Sequence, residues 1–482
     1  MCPQVSTQEA KMEVRFKNFR CFKDTGLLKL KKITLLMGEN SSGKTSFLAG
    51  LNHISGLLTD EDVNLNSPPF ELGSFKDIFH ASRKKEIEPR FEYESKMGDT
   101  IYKWVFEDDQ GDPKVCLFNA KPIQQSIAIE INFKKQEVAI DLNLTPEQKS
   151  LLKHIKVEFE SAEKNDSDLE RFYIRKIDRL FPPQRFSSSS NFREIIWRLE
   201  REYFDISRRR LRRKYGDEQK ELQLDDFDEA AFEFFQNISQ NLSEITRFGY
   251  RHGRWRGAQK FLALAPLRTE PSRVYSFAQC QASLTPDGRH IPDKLLKLSS
   301  ADKTRYEQLK DSLQKFGKEA GLFKEIKIKT LTRNSNYPFS IMVKTAQGKW
   351  SNIMDVGYGV SQILPVIVET ISSRKAQSFL LQQPEVHLHP RAQAAFATLV
   401  ASLISDGKRF VIETHSDFIL ERLKYEIEQG NIAPDDVGIL FFDTEGKDTK
   451  IHQIDLGKDG LPKDTPSSYR RFFLEELDRV WP

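Results

Sequence analysis

The sequence is poor in cysteine and lacks any long, uninterrupted apolar segment. Its four cysteines, Cys2, Cys21, Cys116 and Cys280, are far apart, and none belongs to a CxxC pair. This spacing argues against a structural zinc site or a disulfide framework and fits a reducing compartment. No window approaches the roughly 18 apolar residues of a membrane-spanning helix, and the first residues lack the apolar core of a signal peptide. The sequence therefore predicts a cytoplasmic protein without a membrane segment.

A large excess of charge of one sign is also lacking, but the basic residues are unevenly distributed. The 74 Lys and Arg nearly balance the 70 Asp and Glu, which leaves a net charge of +4. Two segments are strongly basic, residues 208–214 (RRRLRRK) and residues 247–260 (RFGYRHGRWRGAQK), and an acidic run at 217–233 lies between them.

Three interpretations of the basic segments remain open. Arginines interleaved with aromatic side chains can hold a phosphate backbone and stack on bases, which favours DNA or RNA. A solvated helix face that pairs with the acidic run, or a surface for a partner protein, has the same composition. The candidate contact residues are Arg208, Arg209, Arg210, Arg212, Arg213, Lys214, Arg251, Arg254, Trp255 and Arg256.

The pattern of apolar residues predicts an α/β fold with an insertion. Residues 88–142 contain short alternating segments that are typical of an antiparallel β subdomain. Residues 145–258 are long, charged and helix-patterned, with LERFYIRKIDRLF among the clearest predicted helices. The last third alternates strands with helices, as a mostly parallel sheet requires. We therefore predict an N-terminal lobe at 1–143, an inserted helical arm at 144–260 and a C-terminal lobe at 261–482.

The segment GENSSGKT, residues 38–45, matches the phosphate-loop pattern GxxxxGK[ST] between an apolar strand and a helix. Its glycines let successive backbone N–H groups face the phosphates at the N-terminus of the helix. Lys44 can reach the β and γ phosphates of ATP, and the Thr45 hydroxyl can bind Mg²⁺. The predicted nucleotide-binding residues here are Gly38, Glu39, Asn40, Ser41, Ser42, Gly43, Lys44, Thr45 and Ser46.

A second glycine-containing loop, DVGYGVSQILP, lies at residues 355–365 and precedes a predicted helix. Pro365 is expected in or near the first helical turn, where a missing N–H does no harm. Gly359, Ser361 and Gln362 would then offer backbone amides, a hydroxyl and a carboxamide to an anion. Two such loops suggest a nucleotide shared between two subunits, although a glycine turn that only caps a helix gives the same pattern.

Four motifs together resemble those of a known family. GENSSGKT, DVGYGVSQILP, QQPEVHLHP and VIETHSDFIL are similar to the Walker A, signature, Walker B with D-loop, and switch-histidine motifs of ABC-type ATPases in the RecF, SMC and OLD group. More narrowly, they resemble the AAA-15/DUF3696-type proteins, over about residues 13–143 and 261–480. The resemblance implies an ABC-type P-loop ATPase head that pairs head to tail, with ATP between two subunits. A homo-oligomer, at least a dimer, is therefore expected.

Relatives in this group include the PtuA-like and PARIS-type ATPases of anti-phage defence, which act with a separate nuclease or toxin. The resemblance thus implies a sensor or switch for a separate effector protein in bacterial defence. A DNA clamp in repair or chromosome maintenance is the competing relative, and a non-hydrolysing, ATP-bound scaffold is a further alternative. The segment after ETHSDFIL is too short for a Toprim domain, so we expect any nuclease activity in a partner chain.

The Walker B segment carries amides where the family carries acids. Gln382 stands at the position of the acid that holds the magnesium shell, and Gln383 at that of the general base. An amide accepts a hydrogen bond from a metal-bound water, but it has no charge and takes no proton at neutral pH. We expect ATP binding to survive and turnover to be slow, with Thr45 and Gln382 as the candidate contacts of Mg²⁺.

Three interpretations of these amides remain open. Glu385 supplies the base, with His389 and His415 positioning the water or the γ phosphate; or the protein is a naturally slow switch; or Gln382 replaces a glutamate so that ATP is trapped. The candidate catalytic residues are Gln382, Gln383, Glu385 and His415, and His389 is a candidate nucleotide contact.

The histidines differ in what their positions predict. His387 and His389 are two apart in an extended stretch, which permits metal binding, but no Cys/Asp/His cluster accompanies them. His415 follows the strand RFVIET and precedes a helix capped by Ser416 or Asp417, so it is expected where the sheet meets the nucleotide.

Overall fold

The computed structural model describes residues 12–59, 65–66, 68–80, 89–97, 100–122, 127–132, 134, 137–142, 171–175, 260–276, 284–330 and 338–471. The chain divides into two units. The first consists of Met1–Leu27, His53–Val63 and Gly73–Gln259, and the second of Leu28–Asn52, Asn64–Leu72 and Lys260–Pro482.

The strands of the described residues are, in chain order, β1 (Met12–Phe19), β2 (Phe22–Asp24), β3 (Leu28–Leu30), β4 (Ile33–Gly38), β5 (Arg90–Met97), β6 (Thr100–Asp109), β7 (Asp112–Pro122), β8 (Ile127–Asn132), β9 (Glu137–Leu142), β10 (Arg171–Arg175), β11 (Phe261–Leu264), β12 (Glu325–Thr330), β13 (Phe339–Lys344), β14 (Trp350–Asn352), β15 (Ser378–Gln382), β16 (Arg409–Glu413), β17 (Val437–Glu445) and β18 (Asp448–Asp455).

The α-helices are α1 (Lys44–Thr59), α2 (Phe75–Ile78), α3 (Ile291–Ala301), α4 (Lys303–Ala320), α5 (Tyr358–Ser372), α6 (Pro390–Leu403) and α7 (Asp417–Glu428). Short 3-10 helices lie at Ile353–Asp355, Ile404–Asp406 and Pro434–Asp436. A further helical segment begins at Ser467, and its described part ends at residue 471. No helix of the described residues is long and apolar enough to cross a membrane.

The second unit is built around a mostly parallel sheet in the order β11-β15-β16-β4-β17-β18. All neighbours in this sheet are parallel except β18, which forms an antiparallel hairpin with β17. Every residue of β4 and β15 is buried, as expected for strands covered on both faces. The predicted alternation of strands and helices is therefore confirmed, and with it the α/β class.

A buried apolar helix lies at the centre of this unit. Residues 360–370 of α5 are all buried, and α5 packs in one core with α3, α4, α6 and α7. A small antiparallel sheet, β12-β13-β14, borders the same core. Parallel strands end at the same edge of a sheet, so β4, β15 and β16 bring their following loops together at that edge.

The first unit contains an antiparallel sheet in the order β10-β9-β8-β7-β6-β5-β1-β2. The antiparallel subdomain predicted for residues 88–142 is thereby confirmed. Its core is aromatic: the rings of Phe91 and Phe106 stack with centroids 4.6 Å apart, and the Tyr93 ring lies 5.0 Å from that of Phe106. Aromatic pairs of this kind add stabilisation beyond the area that they bury.

The helix predicted over LERFYIRKIDRLF is wrong in its described part. Arg171–Arg175 form β10 and pair antiparallel with β9, in a register that places Phe172 opposite Ile140. The segment RFYIR combines aromatic and β-branched residues, and the edge of β9 offers a pairing partner, so strand pairing overrides the local helical pattern. The remainder of the predicted arm, with all ten basic-segment candidates from Arg208 to Arg256, lies outside the described residues. The three-part division at 143 and 260 stays a prediction.

Candidate functional site

The phosphate loop joins β4 to α1, as the motif predicts. Gly38 has a φ of 140° and Gly43 a φ of 98°, values that favour glycine. A Cβ on Gly38 would also overlap the carbonyl oxygen of Phe442 on the neighbouring strand β17. Glycine at residue 38 is thus required both by the backbone angle and by the close approach of two strands.

Lys44 is buried and holds the loop together. Its Nζ donates to the carbonyl oxygens of Gly38, at 3.0 Å, and Glu39, at 2.6 Å. Burial lowers the pKa of this ammonium, and the nearby carboxylates of Glu413 and Glu39 partly oppose that effect. The lysine that the motif assigns to the phosphates therefore lies inside the loop, with its charge directed at backbone oxygens.

The phosphate-loop residues differ in their exposure to solvent. Glu39, Asn40 and Ser41 are exposed, whereas Ser42 is buried, and Ser46 is intermediate.

The ends of β15 and β16 and the start of α1 come together at the side chain of Glu413. The register of the parallel pair β15 and β16 places Gln382 opposite Glu413. The Thr45 hydroxyl donates to Glu413, with distances of 2.9 Å to Oε1 and 3.0 Å to Oε2. The structure thus brings both predicted magnesium contacts, Thr45 and Gln382, to the side chain of Glu413.

Glu413 is a site residue that the sequence reasoning missed. Its side chain is almost fully buried, with 4% of the residue exposed. Burial raises its pKa, while the Thr45 hydroxyl, the Lys44 charge and a hydrogen bond from Gln382 act in the opposite direction. The available signal was the acid that ends the strand RFVIE, at the same sheet edge as the phosphate loop.

Gln382 and Gln383 lie in different surroundings. Gln382 is 5% exposed, and its Oε1 has no hydrogen-bond partner among the described residues. Because a carboxylate only accepts, the hydrogen bond between Gln382 and Glu413 uses the amide N–H of Gln382. Gln383 has a φ of 41°, and its backbone N–H donates to the Glu413 carbonyl oxygen at 2.8 Å.

Glu385 has the properties of a proton acceptor. Its Oε1 accepts from the backbone N–H of His415 at 2.8 Å, and its Oε2 is buried without a partner among the described residues. Burial raises the pKa of this carboxyl, and the hydrogen bonds from His415 and Thr414 only partly offset the rise. A carboxylate with a raised pKa and an unpartnered oxygen accepts a proton more readily than an ordinary carboxylate does.

Arg268 is a second residue that the sequence reasoning missed. It lies shortly after β11, is 6% exposed, and donates from Nη2 to the Gln382 carbonyl oxygen at 3.3 Å. Its Nε and Nη1 have no partner among the described residues. Burial lowers the pKa of the guanidinium to about 10, and the charge of Glu385 opposes this. The positive charge therefore faces the candidate base, and only the position of Arg268 after a sheet strand hinted at this.

His415 lies between strand and helix, as its sequence context predicts. Burial and then the charge of Lys44 lower the pKa of its imidazole, so the neutral form is favoured at pH 7. The Ser416 hydroxyl accepts from the backbone N–H of Ile419 at 3.1 Å and caps α7. Of the two predicted caps, Ser416 or Asp417, the structure confirms Ser416.

The signature-like segment forms the start of α5. The helix begins at Tyr358 after Gly357, so the expected position of Pro365 in or near the first turn is wrong. Pro365 lies inside the helix, where it has no N–H to donate to the Ser361 carbonyl oxygen one turn earlier, and it packs among the buried residues of the core. The Ser361 hydroxyl donates to the Tyr358 carbonyl oxygen at 2.8 Å, and both Ser361 and Gln362 are buried.

The signature-like segment contacts the loop after β15. A Cβ on Gly359 would lie 2.6 Å from the carbonyl oxygen of His387. The His387 ring packs edge-on against Tyr358, with centroids 4.8 Å apart. His389 is exposed and occupies the N-cap position of α6. In the described part of the chain no group of three His, Cys, Asp or Glu is arranged to hold a metal ion.

Comparisons with known proteins give one family and several distant structures. The family model AAA_15, described as AAA ATPase domain, matches residues 12–420. A search of curated proteins gives no match.

Among solved structures, a crystal structure of the SmcHead bound to the C-winged helix domain of ScpA is similar, with a TM-score of 0.39 and 12% identity, over 93% of this chain and 98% of that chain. A Smc head domain with an extended coiled coil, bound to a ScpA C-terminal domain derived from Pyrococcus furiosus, has a TM-score of 0.37 and 10% identity, over 92% and 96%. The SMC head domain from Thermotoga maritima has a TM-score of 0.34 and 10% identity, over 92% and 98%.

Proposed function

Because the chain belongs to the AAA ATPase domain family AAA_15, we propose that it binds ATP with Mg²⁺, hydrolyses it slowly and uses the bound nucleotide to hold an assembled state. The observation that carries this proposal is a contrast within one site. The phosphate loop is complete, with Lys44 and Thr45 in place, whereas the end of β15 carries the amides Gln382 and Gln383. Binding and hydrolysis depend on different members of this set.

In this proposal the phosphate-loop residues bind the nucleotide, and the residues at the strand ends position the groups that act in hydrolysis. The backbone N–H groups of the loop and the N-terminus of α1 attract the phosphates. Lys44 exchanges its carbonyl partners for phosphate oxygens, which is favourable because a buried ammonium gains a full countercharge. A bound Mg²⁺ supplies charge compensation between phosphates.

Slow hydrolysis follows from the choice of proton acceptor. The family position of the base is Gln383, which takes no proton, so Glu385 is the proposed substitute. Its unpartnered Oε2 and its raised pKa support this role, and the charge of Arg268 is placed to limit the rise. A base displaced by two residues from the usual position is less well aligned for proton transfer, and the rate of ATP hydrolysis is therefore lower.

Assembly is proposed to join two heads, each of which offers the start of α5 to the nucleotide held by its partner. Gly357 and Tyr358 are exposed there, and the first N–H groups of α5 have no side-chain cap. Uncapped N–H groups at a helix N-terminus favour an anion. Ser361 and Gln362, being buried, would act by shaping this turn, with Gly359 presenting its backbone.

The held assembly is proposed to serve as a sensor or switch for a separate effector, a nuclease or a toxin, in bacterial anti-phage defence. Slow hydrolysis suits such a role because the lifetime of the assembled state is then long enough to be read by another protein. The family resemblance of the four motifs supports this part of the proposal.

The proposal is tested by the oligomeric state. Sedimentation of the full chain with ATP and Mg²⁺ should show a species at least twice the monomer mass that is absent without nucleotide. Lys44→Ala should remove both nucleotide binding and this shift. Assembly that Lys44→Ala leaves unchanged would contradict the proposal.

Hydrolysis is measured on the same samples beside Gln382→Glu and Gln383→Glu. Faster hydrolysis in Gln383→Glu alone would identify residue 383 as the position of the absent base. Faster hydrolysis in Gln382→Glu alone would identify residue 382 as the position of a missing metal-side acid. Rapid turnover by the unaltered chain would exclude the slow switch.

A DNA clamp is the second candidate, favoured by the basic segment RRRLRRK. Binding of a duplex should then weaken steeply with salt, with a log–log slope of about −0.9 for each phosphate contacted, and neutralisation of Arg208 and its neighbours should flatten it. Binding that is absent or independent of salt would reject the clamp.

A further inference from the structure

We propose that Glu413, at the end of β16, supplies the carboxylate of the magnesium site, in place of the acid that Gln382 lacks. This inference rests on the proposed binding of ATP, and it assigns the metal-side charge to the neighbouring strand. Gln382 then acts as an uncharged hydrogen-bonding partner within the same site.

The sheet register places Glu413 at the right level for this role. Gln382 and Glu413 are paired residues at the ends of adjacent parallel strands. Adjacent strands are separated by about 4.8 Å, so a side chain on one strand can reach the space beside the end of the other. A carboxylate moved by one strand thus still faces the start of α1.

The contact with Thr45 connects Glu413 to the predicted metal contact. The Thr45 hydroxyl lies 2.9 and 3.0 Å from the two carboxylate oxygens. A P-loop threonine hydroxyl is the group that commonly binds Mg²⁺, together with an acid at the end of a neighbouring strand. Within the described residues, Glu413 is the carboxylate bonded to this hydroxyl.

The burial of Glu413 requires a reason. The residue is only 4% exposed, and among the described residues no lysine or arginine nitrogen forms an ion pair with it. Its partners are the Thr45 hydroxyl and the Gln382 amide, and Lys44 acts on it only through its charge. A buried carboxylate without a directly paired cation is costly, and a bound divalent cation would relieve that cost.

Gln382 completes the donor set. Its amide N–H is used by Glu413, and its Oε1 is buried without a partner among the described residues. A glutamate at residue 382 would instead place a second negative charge beside Glu413. The free amide oxygen can accept a hydrogen bond from a water on the metal.

The chemistry of this set fits magnesium. The Thr45 hydroxyl, the Glu413 carboxylate and the Gln382 Oε1 present oxygen atoms, which Mg²⁺ prefers. Mg²⁺ is usually bound through one or two carboxylates plus substrate phosphates, and not by a dedicated protein cage. The lack of a cluster of three acidic or histidine ligands in the described ranges agrees with such a shared site.

The test measures metal affinity without turnover. Mn²⁺ is titrated, with detection by electron paramagnetic resonance, into the full chain saturated with a non-hydrolysable ATP analogue. Glu413→Gln is expected to weaken Mn²⁺ binding at least about tenfold. Binding of the analogue in EDTA should be unchanged, because the phosphate loop is intact.

Two further variants sharpen the assignment. The charge-swap double variant Glu413→Gln/Gln382→Glu returns one carboxylate to the strand pair and should recover most of the Mn²⁺ affinity. Glu426→Gln is the matched control: Glu426 is a buried carboxylate on α7 whose partners are Thr398 and Asn431. It should leave Mn²⁺ affinity unchanged.

The outcomes separate this inference from the proposed function. If the unaltered chain binds no ATP analogue, with or without metal, both fail. If it binds the analogue and Glu413→Gln keeps its Mn²⁺ affinity, the inference alone is overturned. Should Glu413→Gln not fold, Glu413→Asp decides, because it keeps the charge and withdraws the oxygens from Thr45 by one methylene; unchanged affinity there overturns the inference.

Discussion

In the proposed function, metal binding and proton transfer are assigned to different single residues. The metal-side charge and the proton acceptor occupy consecutive positions of one strand end in the family motif, and here amides stand at both. The acids Glu413 and Glu385 lie instead on the next strand and two residues further on. These neighbouring acids are separate in sequence, so binding and hydrolysis should respond differently to their removal.

We expect Glu385→Gln to lower ATP hydrolysis by about 10²- to 10⁴-fold, since a lost general base typically costs this much. Nucleotide binding should stay within a factor of about two, because the hydrogen bond to Glu385 Oε1 comes from His415, outside the phosphate loop. A steady-state phosphate-release assay beside equilibrium binding checks both. Glu426→Gln is the control. Gln393→Glu is unsuitable, since Gln393 accepts a hydrogen bond from Ser416, the cap of α7. An unchanged rate in Glu385→Gln would remove this residue from the mechanism.

The second residue-scale prediction concerns His53, in the aromatic core of the first unit. Its ring contacts Tyr93 and Phe106, its Nδ1 lacks a partner among the described residues, and burial lowers its pKa to about 3. Between pH 6.5 and pH 3 the unfolded state therefore binds a proton that the folded state does not. Stability is highest above the unfolded pKa and is lost as pH falls.

Comparison of His53→Phe with the unaltered protein isolates this effect. From pH 7 to pH 5 the unaltered chain should lose about 2 kcal/mol more of its free energy of unfolding than the variant. Urea unfolding at the two pH values measures the difference. Equal losses in both proteins would show that His53 is protonated, or exposed, in the folded state.

Elements set the geometry that individual residues then use. The start of α5 and the loop after β15 touch at Gly359 and His387, so the predicted signature segment and the Walker B segment are physically joined. A change in one is expected to move the other.

We expect Gly359→Ala to destabilise this junction by about 1–3 kcal/mol, because its Cβ would lie 2.6 Å from the His387 carbonyl oxygen. ATP-dependent assembly should weaken, while nucleotide binding at the phosphate loop is kept. Gly357→Ala is the matched control two residues earlier, since a Cβ there meets nothing within 4 Å. Thermal unfolding compares the two variants, and sedimentation compares Gly359→Ala with the unaltered chain; equal unfolding of the two variants would contradict the expected steric effect.

Several strands and helices lie where the sequence predicts them. The apolar strand before the phosphate loop, the strand RFVIET and the helices that begin near Lys44 and Asp417 are where periodicity and caps predict them, although RFVIET ends as a strand at Glu413. The failures, β10 and the position of Pro365, have one cause. In both, the surroundings of the segment, a strand edge or a buried core, outweighed its local preference.

At the scale of the whole molecule, nucleotide binding and assembly should be linked through stability. A ligand that binds only the folded state adds about 2.7 kcal/mol at 100 times its dissociation constant. We expect ATP with Mg²⁺ to raise the unfolding midpoint of the full chain, and more so at higher protein concentration, because assembly adds to the linkage.

Scanning calorimetry at two protein concentrations tests this expectation. Lys44→Ala should show no increase with ATP at either concentration. If ATP raises the unfolding midpoint of the unaltered chain by the same amount at both protein concentrations, the result supports nucleotide binding and contradicts assembly.

By itself, the sequence determined the phosphate loop, the order of strands and helices around it and the deficit of acids at residues 382 and 383. These features are local, since a loop motif, a hydrophobic period and a helix cap are each contained in a few consecutive residues. Only the tertiary structure decided which charged groups lie beside these two amides. Glu413 meets Thr45 across 368 positions, and Arg268 meets Gln382 across 114. Such contacts arise from the register of parallel strands, which no single segment of the sequence specifies.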